Sequence, residues 1–571
     1  MKVALVTTPP RRRSGIGDYT RDLLPHLARH VEVEVFVEDG LEGGEIAGCP
    51  TQPLSSLDPM KVDRILYQLG NERCHGFMLP AIREFGGTVV LHDWVLFDLA
   101  MGGVPGLERG GLKGHLAALK AGGLSQARVY ARARSARRLP RSPEALVREL
   151  KEREGGPGSF SLMEGWHDWE GEGRWSSAWS VLSVDLQSAG ELELVVDLPA
   201  GRTLELLGAE GSLGSLQGRG GTKLRVPLPG DSQVVMGLRV TPATPIPEQR
   251  RAQDDRILGA FVRSIRVLCG GAEKTLDLTG EATGSARMDP LARARFDLPL
   301  NRPVVRLADA FLVHSDWMRS RILNQRNAPT PIGLGPHGSA PFTEEADREE
   351  ARRALGLPAG ATIVTSFGAI QEHKRPEPLL RAFALACKEV DGLHLVLAGE
   401  DRLEQLDLSA LVEELGLRPH LTVTGFLSEE DITRHLVAAD LCVNLRGPST
   451  GGTSGAIARA MGVGRLVLTS DQGEQAEWPE ACVRRVPVGE GEGARLQELI
   501  AELAGDSGSR LQAEAAAREF VRDVSSWERV GASYAQLLDL LPCHRSRARS
   551  LISEAVDAAD ERRRGRREQS S

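Results

Sequence analysis

At 571 residues the chain is too long for a single hydrophobic core, and three or four folding units are expected. Hydrophobic residues make up 41% and charged residues 26%, the balance of a water-soluble globular protein rather than a disordered or fibrous one. The formal net charge of -8 excludes the basic excess of a protein that tracks nucleic-acid phosphates, so no nucleic-acid partner is expected. Seven scattered cysteines without a CxxC pair argue against a zinc site and a disulfide framework; reduced thiols in a cytoplasm fit that pattern.

The opening MKVALVTTPPRRRSG has a short apolar run that precedes its charges, the reverse of a signal peptide. No stretch approaches the roughly 20 apolar residues of a membrane span. Residues 2–6, KVALV, predict a buried strand. Turn residues follow, then DYTRDLLPHLARH with apolar positions at helical spacing, then VEVEVFV with strand alternation. Strand, glycine loop, helix and strand open a doubly wound α/β domain. RILYQLG and GTVVLHD predict two further buried strands.

Near residue 105 the pattern loosens, and RVYARARSARRLPR reads as a solvated helix face or as a loop facing an anionic ligand or membrane. Residues 156–270 replace helical spacing with short alternating segments such as GELELVVDLP and FVRSIRVLC, separated by Gly- and Pro-rich turns, the pattern of a β-sandwich. Trp166, Trp169, Trp175 and Trp179 belong either to its core and rim or to a sugar-stacking platform. VVRLADAFLVHSDWMRSRIL then predicts a strand and helix, and PIGLGPHGSAP an extended linker. A second α/β alternation follows, with strands at ATIVTSFG, LHLVLAG, LTVTGF, LCVNLR and RLVLTS. Closing helices span about 494–542, before a polar tail expected to be disordered. The expected organisation is 1–155 and 276–335 as the two parts of an N-terminal Rossmann-like lobe, 156–275 as an inserted all-β domain, 336–530 as a C-terminal Rossmann-like lobe, and 531–571 as a final helix and tail.

Ligands of parallel sheets bind beyond the strands' carboxyl ends. Lys374 and Arg375 lie between a strand and a helix, where two cations and a helix N-terminus suit a diphosphate; alone they also suit a solvated turn. Gly452, Thr453, Ser454 and Gly455 supply N–H donors and hydroxyls at a second strand-to-helix turn. Gly15 and Gly17 stand at the first such turn of the chain, as a cap or as a loop facing the cleft. His92 and Asp93 end another strand as a polar pair, catalytic or structural.

These residues together resemble a known family. SFGAIQEHKRPEPLLRAFA, LVLAGE and GTSGAIARAMGVGRLVLTSD, with SGIGDYTRDLL, YQLGNERCH, VVLHD and GPHG earlier, are similar to the retaining glycosyltransferases of family 4, which have the GT-B fold: two Rossmann-like lobes facing a cleft. The resemblance covers about 1–100 and 300–540. It implies a nucleotide-diphosphate sugar as donor substrate, with Lys374 and Arg375 neutralising the leaving diphosphate and Gly15–Gly17 approaching it from the first lobe. His92 would contact the transferred sugar. A glycan or lipid-linked acceptor would lie near Gly70, Asn71 and His75. No metal or other cofactor is implied. The product would belong to a surface polysaccharide or glycoconjugate, made in the cytoplasm or peripherally at the inner face of the membrane. Within TGGTSG the resemblance puts a donor-binding glutamate at Gly452, with Glu372, Glu400 or Glu474 as substitutes. That departure keeps open a catalytically impaired relative that binds nucleotide or glycan as a partner subunit. A nicotinamide-dependent oxidoreductase is the third class.

Overall fold

The computed structural model describes residues 1–548 apart from 10, 11, 13, 109, 137–159, 163–165, 170–171, 177–178, 187–189, 209–210, 219, 229–231, 242–258, 270–271, 276–277, 279–290, 292–293, 327, 341–346, 404–405 and 547. The chain divides into two compact units, residues 1–130 with 294–571, and residues 131–293. The continuation of the arginine run beyond Ala136 and the polar tail lie outside the described residues.

The first unit holds two parallel sheets. In the first, the strand order is 332–334, 310–313, 88–91, 64–69, 2–6, 32–37, 49–53 and 45–46, all parallel except the final hairpin. Lys2–Val6 pairs with Glu32–Val37 on one side (Val3 opposite Val33) and with Arg64–Leu69 on the other (Val3 opposite Arg64). The crossovers therefore reverse direction at this strand, and a cleft opens beyond its carboxyl end. Ile332–Leu334 is the edge strand of this sheet, a correction to the extended linker expected at PIGLGPHGSAP. Three residues between proline and glycine carry too little alternation to announce a strand.

The second sheet has the order 421–423, 393–398, 362–367, 441–444, 466–470 and 483–486, all parallel. Its direction reverses between Thr362–Phe367 and Leu441–Asn444. Side-chain alternation sorts neighbours onto opposite faces. Val364, Leu395, Val443 and Leu468 join Leu380 and Phe383 of helix Pro376–Ala386. Ile363, Val396, Cys442 and Val467 join Leu436 and Met461 beneath helices Glu429–Ala438 and Gly455–Gly462. Burial on both faces explains why these strands read as continuous apolar runs.

Helix Trp527–Leu540 returns from the second sheet to the first. Trp527, Val530, Tyr534 and Leu538 pack with Leu23, Leu24 and Leu27 of helix Gly15–Leu27. The Tyr19 and Tyr534 hydroxyls share a buried hydrogen bond of 2.9 Å. Helix Gly111–Ala136 occupies the region where the sequence pattern loosens, and it contains part of the arginine run. It bends at Gly123 (φ 82°), and Tyr130 folds back to donate to the Leu107 carbonyl at 2.6 Å. No helix among the described residues is long and apolar enough to cross a membrane.

The second unit contains two antiparallel sheets, ordered 211–217, 203–208, 232–241, 179–186, 160–162 and 220–228, 190–198, 261–269, 174–176, 166–169. Leu182, Leu206 and Leu238 of the first share one apolar cluster with Leu194, Val226 and Ile265 of the second. Trp166 is buried there and donates to the Val181 carbonyl at 2.7 Å, while Trp175 is half-buried against Phe261. The side chains of Trp169 and Trp179 lie outside the described residues.

Tyr534→Phe removes the buried hydroxyl pair while keeping the ring, and is expected to lower stability by about 1 kcal/mol, measured by urea unfolding.

Candidate functional site

The loops that leave the two sheets at their reversal points meet within the first unit. After Lys2–Val6, Ser14 caps helix Gly15–Leu27, its Oγ accepting from the Ile16 and Gly17 amides at 3.3 Å. Gly15 and Gly17 are thus first-turn residues. A Cβ at Gly15 meets nothing within 4 Å, whereas one at Gly17 sits against Ser14 and Thr8.

After Arg64–Leu69, Gly70 lies so close to Ile16 and Asp93 that a Cβ would stand 2.3 Å from the Ile16 Cδ1 and 2.8 Å from the Asp93 Oδ2. Asn71 is committed internally: its amide donates to Asp98 and its carbonyl oxygen accepts from the Asp98 backbone, at 3.0 and 2.8 Å. His75 is fully buried, with Nδ1 3.0 Å from the Gly70 carbonyl and Nε2 3.4 Å from the Thr8 hydroxyl. Glu72, Cys74 and His75 present ligand atoms within 4.8 Å of one another, the one such trio among the described residues. Burial pushes the Cys74 thiol up to about 12, and it donates to Glu72 at 3.3 Å, while His75 Nε2 stands 3.9 Å from the Glu72 carboxyl oxygen.

After Thr88–Leu91, His92 places Nε2 2.7 Å from the Gln68 side-chain oxygen, which leaves Nδ1 as the lone-pair nitrogen. Burial and the neighbouring His314, His337 and His75 hold its pKa well below the usual value, so the ring is neutral. Tyr19 lies at the centre of this aromatic cluster, its ring 4.7 Å from His92, 5.0 Å from His337 and 4.9 Å from Trp527. Asp93 accepts from the Asn71 backbone at 2.9 Å and from the Thr450 hydroxyl at 3.0 Å, and burial raises its pKa.

Thr450 belongs to the loop after the second sheet's Leu441–Asn444 strand. Its carbonyl accepts from both the Trp94 and Val95 amides at 2.9 Å. Two glycines make this approach feasible. Gly451 has φ 80°, and a Cβ there would lie 2.5 Å from Trp94; a Cβ at Gly452 would lie 2.6 Å from the Asp93 Oδ1 and from the His92 carbonyl. The Asp93 carboxylate therefore crowds the space that a side chain at Gly452 would enter. Ser454 caps helix Gly455–Gly462 and donates to the Asn444 side chain at 3.1 Å. Gly455 faces His337, and Thr453 joins His314, His337, Glu474 and Trp478 in lining a cavity of about 130 Å³.

Of the three glutamates considered as substitutes, Glu474 comes to this loop. Its Oε1 accepts from Ser449 and from Gln475, and its Oε2 is buried without a partner among the described residues. Burial raises its pKa. Glu400 instead pairs with Arg402, and Glu372 starts the short turn that holds Lys374.

Lys374 and Arg375 separate. Arg375, in a left-handed conformation (φ 60°), is held by the Glu492 carboxylate through two hydrogen bonds. Lys374 makes no ion pair among the described residues, and its ammonium nitrogen would be 2.7 Å from a Cβ at Gly368. Burial, followed by the charges of Arg446 and Arg402, lowers its pKa to about 7. Arg446, at the end of the Leu441–Asn444 strand, is the second cation of this region; its guanidinium bonds only to neutral oxygens among the described residues, and burial lowers it to about 10. The sequence reading passed over it, although its place in LCVNLR, at a strand's carboxyl end, was a usable signal. Lys374 and Arg446 are both half-buried and neither makes an ion pair among the described residues, although Glu474 and Asp93 lie close enough to act on Arg446; such a pair of cations suits an anion.

Residues 347–520 match the family model described as "Glycosyl transferases group 1". The D-inositol 3-phosphate glycosyltransferase of Mycobacterium sp. (strain KMS) is 34% identical over 144 residues, covering 24% of this chain and 32% of that protein. The corresponding Mycobacterium ulcerans (strain Agy99) protein is 31% identical over 144 residues, covering 24% and 30%. The chain thus spans about a third of the length of these curated relatives. Among solved structures, Anabaena Alr3699/HepE in complex with UDP and glucose has a TM-score of 0.36 and 18% identity, over 43% of this chain and 67% of that one.

Gly452→Ala forces a methyl group onto the Asp93 carboxylate and the His92 carbonyl, and is expected to destabilise the chain by about 1–3 kcal/mol, measured by denaturant unfolding.

Proposed function

We propose that the chain transfers a sugar from a nucleotide-diphosphate sugar to a glycan or lipid-linked acceptor with retained anomeric configuration, in the assembly of a surface polysaccharide or glycoconjugate. The single observation that carries this reading is Lys374, a half-buried amine without an ion-pair partner among the described residues, close enough to Arg446 for that charge to depress its pKa. A partly desolvated cation left uncompensated in the free protein carries a cost, and an anionic ligand relieves it. The family match over 347–520 contains both cations.

In this reading the diphosphate lies against Lys374 and Arg446, which stabilise the negative charge that develops as the sugar leaves. Preorganised charge in a partly dry site does this without a metal. Neutral His92, oriented by Gln68, offers Nδ1 to a sugar hydroxyl. Asp93, Ser449 and Glu474 line the loop that carries Gly452, and Glu474 is the carboxylate that stands in for the glutamate absent there. The acceptor lies on the first lobe's side, toward Gly70. The two antiparallel sheets of residues 131–293 are read as the expected inserted β-sandwich.

A second reading, a catalytically impaired subunit that binds nucleotide or glycan, draws on Gly452, where the side-chain space is taken by Asp93. Turnover of UDP- and GDP-sugars separates the two, and NMR of the product's anomeric proton tests retention. Binding without turnover would favour the second reading.

Lys374→Ala is expected to weaken nucleotide-sugar binding by about 1.5–3 kcal/mol, roughly tenfold to a hundredfold, measured by calorimetry; unchanged affinity would remove the diphosphate assignment. The pH dependence follows from the same residue. A bound diphosphate favours the ammonium and raises its pKa above the free protein's value of about 7. Affinity is therefore fully present below that value, falls by up to about tenfold per pH unit between it and the raised pKa of the complex, and levels off above the latter. Lys374→Arg, which stays charged, is expected to flatten the profile.

A further inference from the structure

Helix Gly111–Ala136 is built inside out. Its first half turns Gly114, Ala117, Ala118 and Ala121 inward and leaves Leu112, Leu116 and Leu119 outside, 79%, 50% and 41% exposed. Spaced i, i+4 and i+7, these leucines form one stripe along the helix. Leu124, just past the bend, is 61% exposed. A contiguous apolar stripe on a surface helix calls for a partner. Its chemistry is set by the flanking charges. Lys113 and Lys120 are exposed along one edge of the stripe. From Gly111 to Ala136 the sequence contains Lys113, Lys120, Arg128, Arg132 and Arg134 and no aspartate or glutamate, in a chain whose net charge is -8. Cations segregated beside exposed leucines on one helix are the pattern of an element that lies in a membrane interface.

We propose that the outer face of this helix docks on an anionic lipid bilayer, with Leu112, Leu116 and Leu119 entering the boundary between headgroups and acyl chains and Lys113 and Lys120 meeting the headgroup charges. The attraction is to a surface: the docked helix lies in the interface plane. This contact is independent of Lys374 and Arg446, and it gives a glycosyltransferase acting on a lipid-linked acceptor a means of holding its cleft near that acceptor.

The test is co-sedimentation of the full chain with vesicles of phosphatidylcholine and phosphatidylglycerol in equal parts, and with vesicles of phosphatidylcholine alone. The expected result is binding to the first and little to the second. The triple variant Leu112→Ser, Leu116→Ser, Leu119→Ser and the double variant Lys113→Glu, Lys120→Glu are each expected to reduce partitioning by at least about tenfold. Both sets of side chains are exposed, so the variants should keep the parent's thermal midpoint and nucleotide affinity. No partitioning of the parent onto anionic vesicles overturns the proposal, as does a leucine variant that partitions like the parent. A parent that ignores vesicles but forms an assembly that the leucine variant dissolves overturns it in favour of an interface between copies.

Discussion

The close approach of the Thr450–Gly452 loop to the His92–Val95 segment is the contact on which the site depends. One carbonyl, that of Thr450, receives two backbone amides from the other sheet's loop, and the Thr450 hydroxyl reaches the Asp93 carboxylate. Neither contact survives a side chain at Gly451 or Gly452 without a shift, because both would-be Cβ positions are already occupied by neighbouring atoms. Glycine there serves proximity: it lets two strand-end loops share one polar surface that neither sheet provides alone.

Around that surface the charges are arranged at a cost to folding. Lys374 and Arg446 are half-buried and make no ion pair among the described residues, with Glu474 and Asp93 acting on Arg446 only at a distance, and desolvation followed by the neighbouring arginines lowers the lysine's pKa to about 7. Elsewhere in the same lobe buried charges are matched: Asp440 receives Arg352, Arg348 and the Ile363 amide, and Arg375 is held by Glu492. Matched ions orient the structure, and unmatched ones create demand for a ligand. The contrast within one fold is what separates Arg375 from Lys374, its neighbour in sequence.

The neutral histidines follow the same economy of burial. His92, His314 and His337 pack around Tyr19 and Trp527, where a second positive charge would be repelled by the first and desolvated by the rings. They are available as hydrogen-bonding groups, with the ring of His92 turned by Gln68. The helix Gly111–Ala136 shows the opposite distribution, with small residues inside and leucines outside.

The α/β character of both lobes was legible in the sequence because strands buried on both faces must be apolar throughout, as in VVL at 89–91 and LHLVLA at 393–398. The strand-to-helix turns at Gly15–Gly17 and Gly452–Gly455, and Lys374 after a strand, were readable for a local reason: strand-end loops and helix starts are set by adjacent residues. The helix at Gly111 was not, because its buried face is glycine and alanine and gives no apolar periodicity. Nor was the parting of Lys374 from Arg375, which turns on Glu492 more than a hundred residues away. The choice of Glu474 among the three candidate glutamates and the crowding of Gly452 by Asp93 likewise depend on side chains that are distant in the chain and adjacent in space. Local pattern determined which loops end the strands; only tertiary packing decided which charges in those loops were left without a partner.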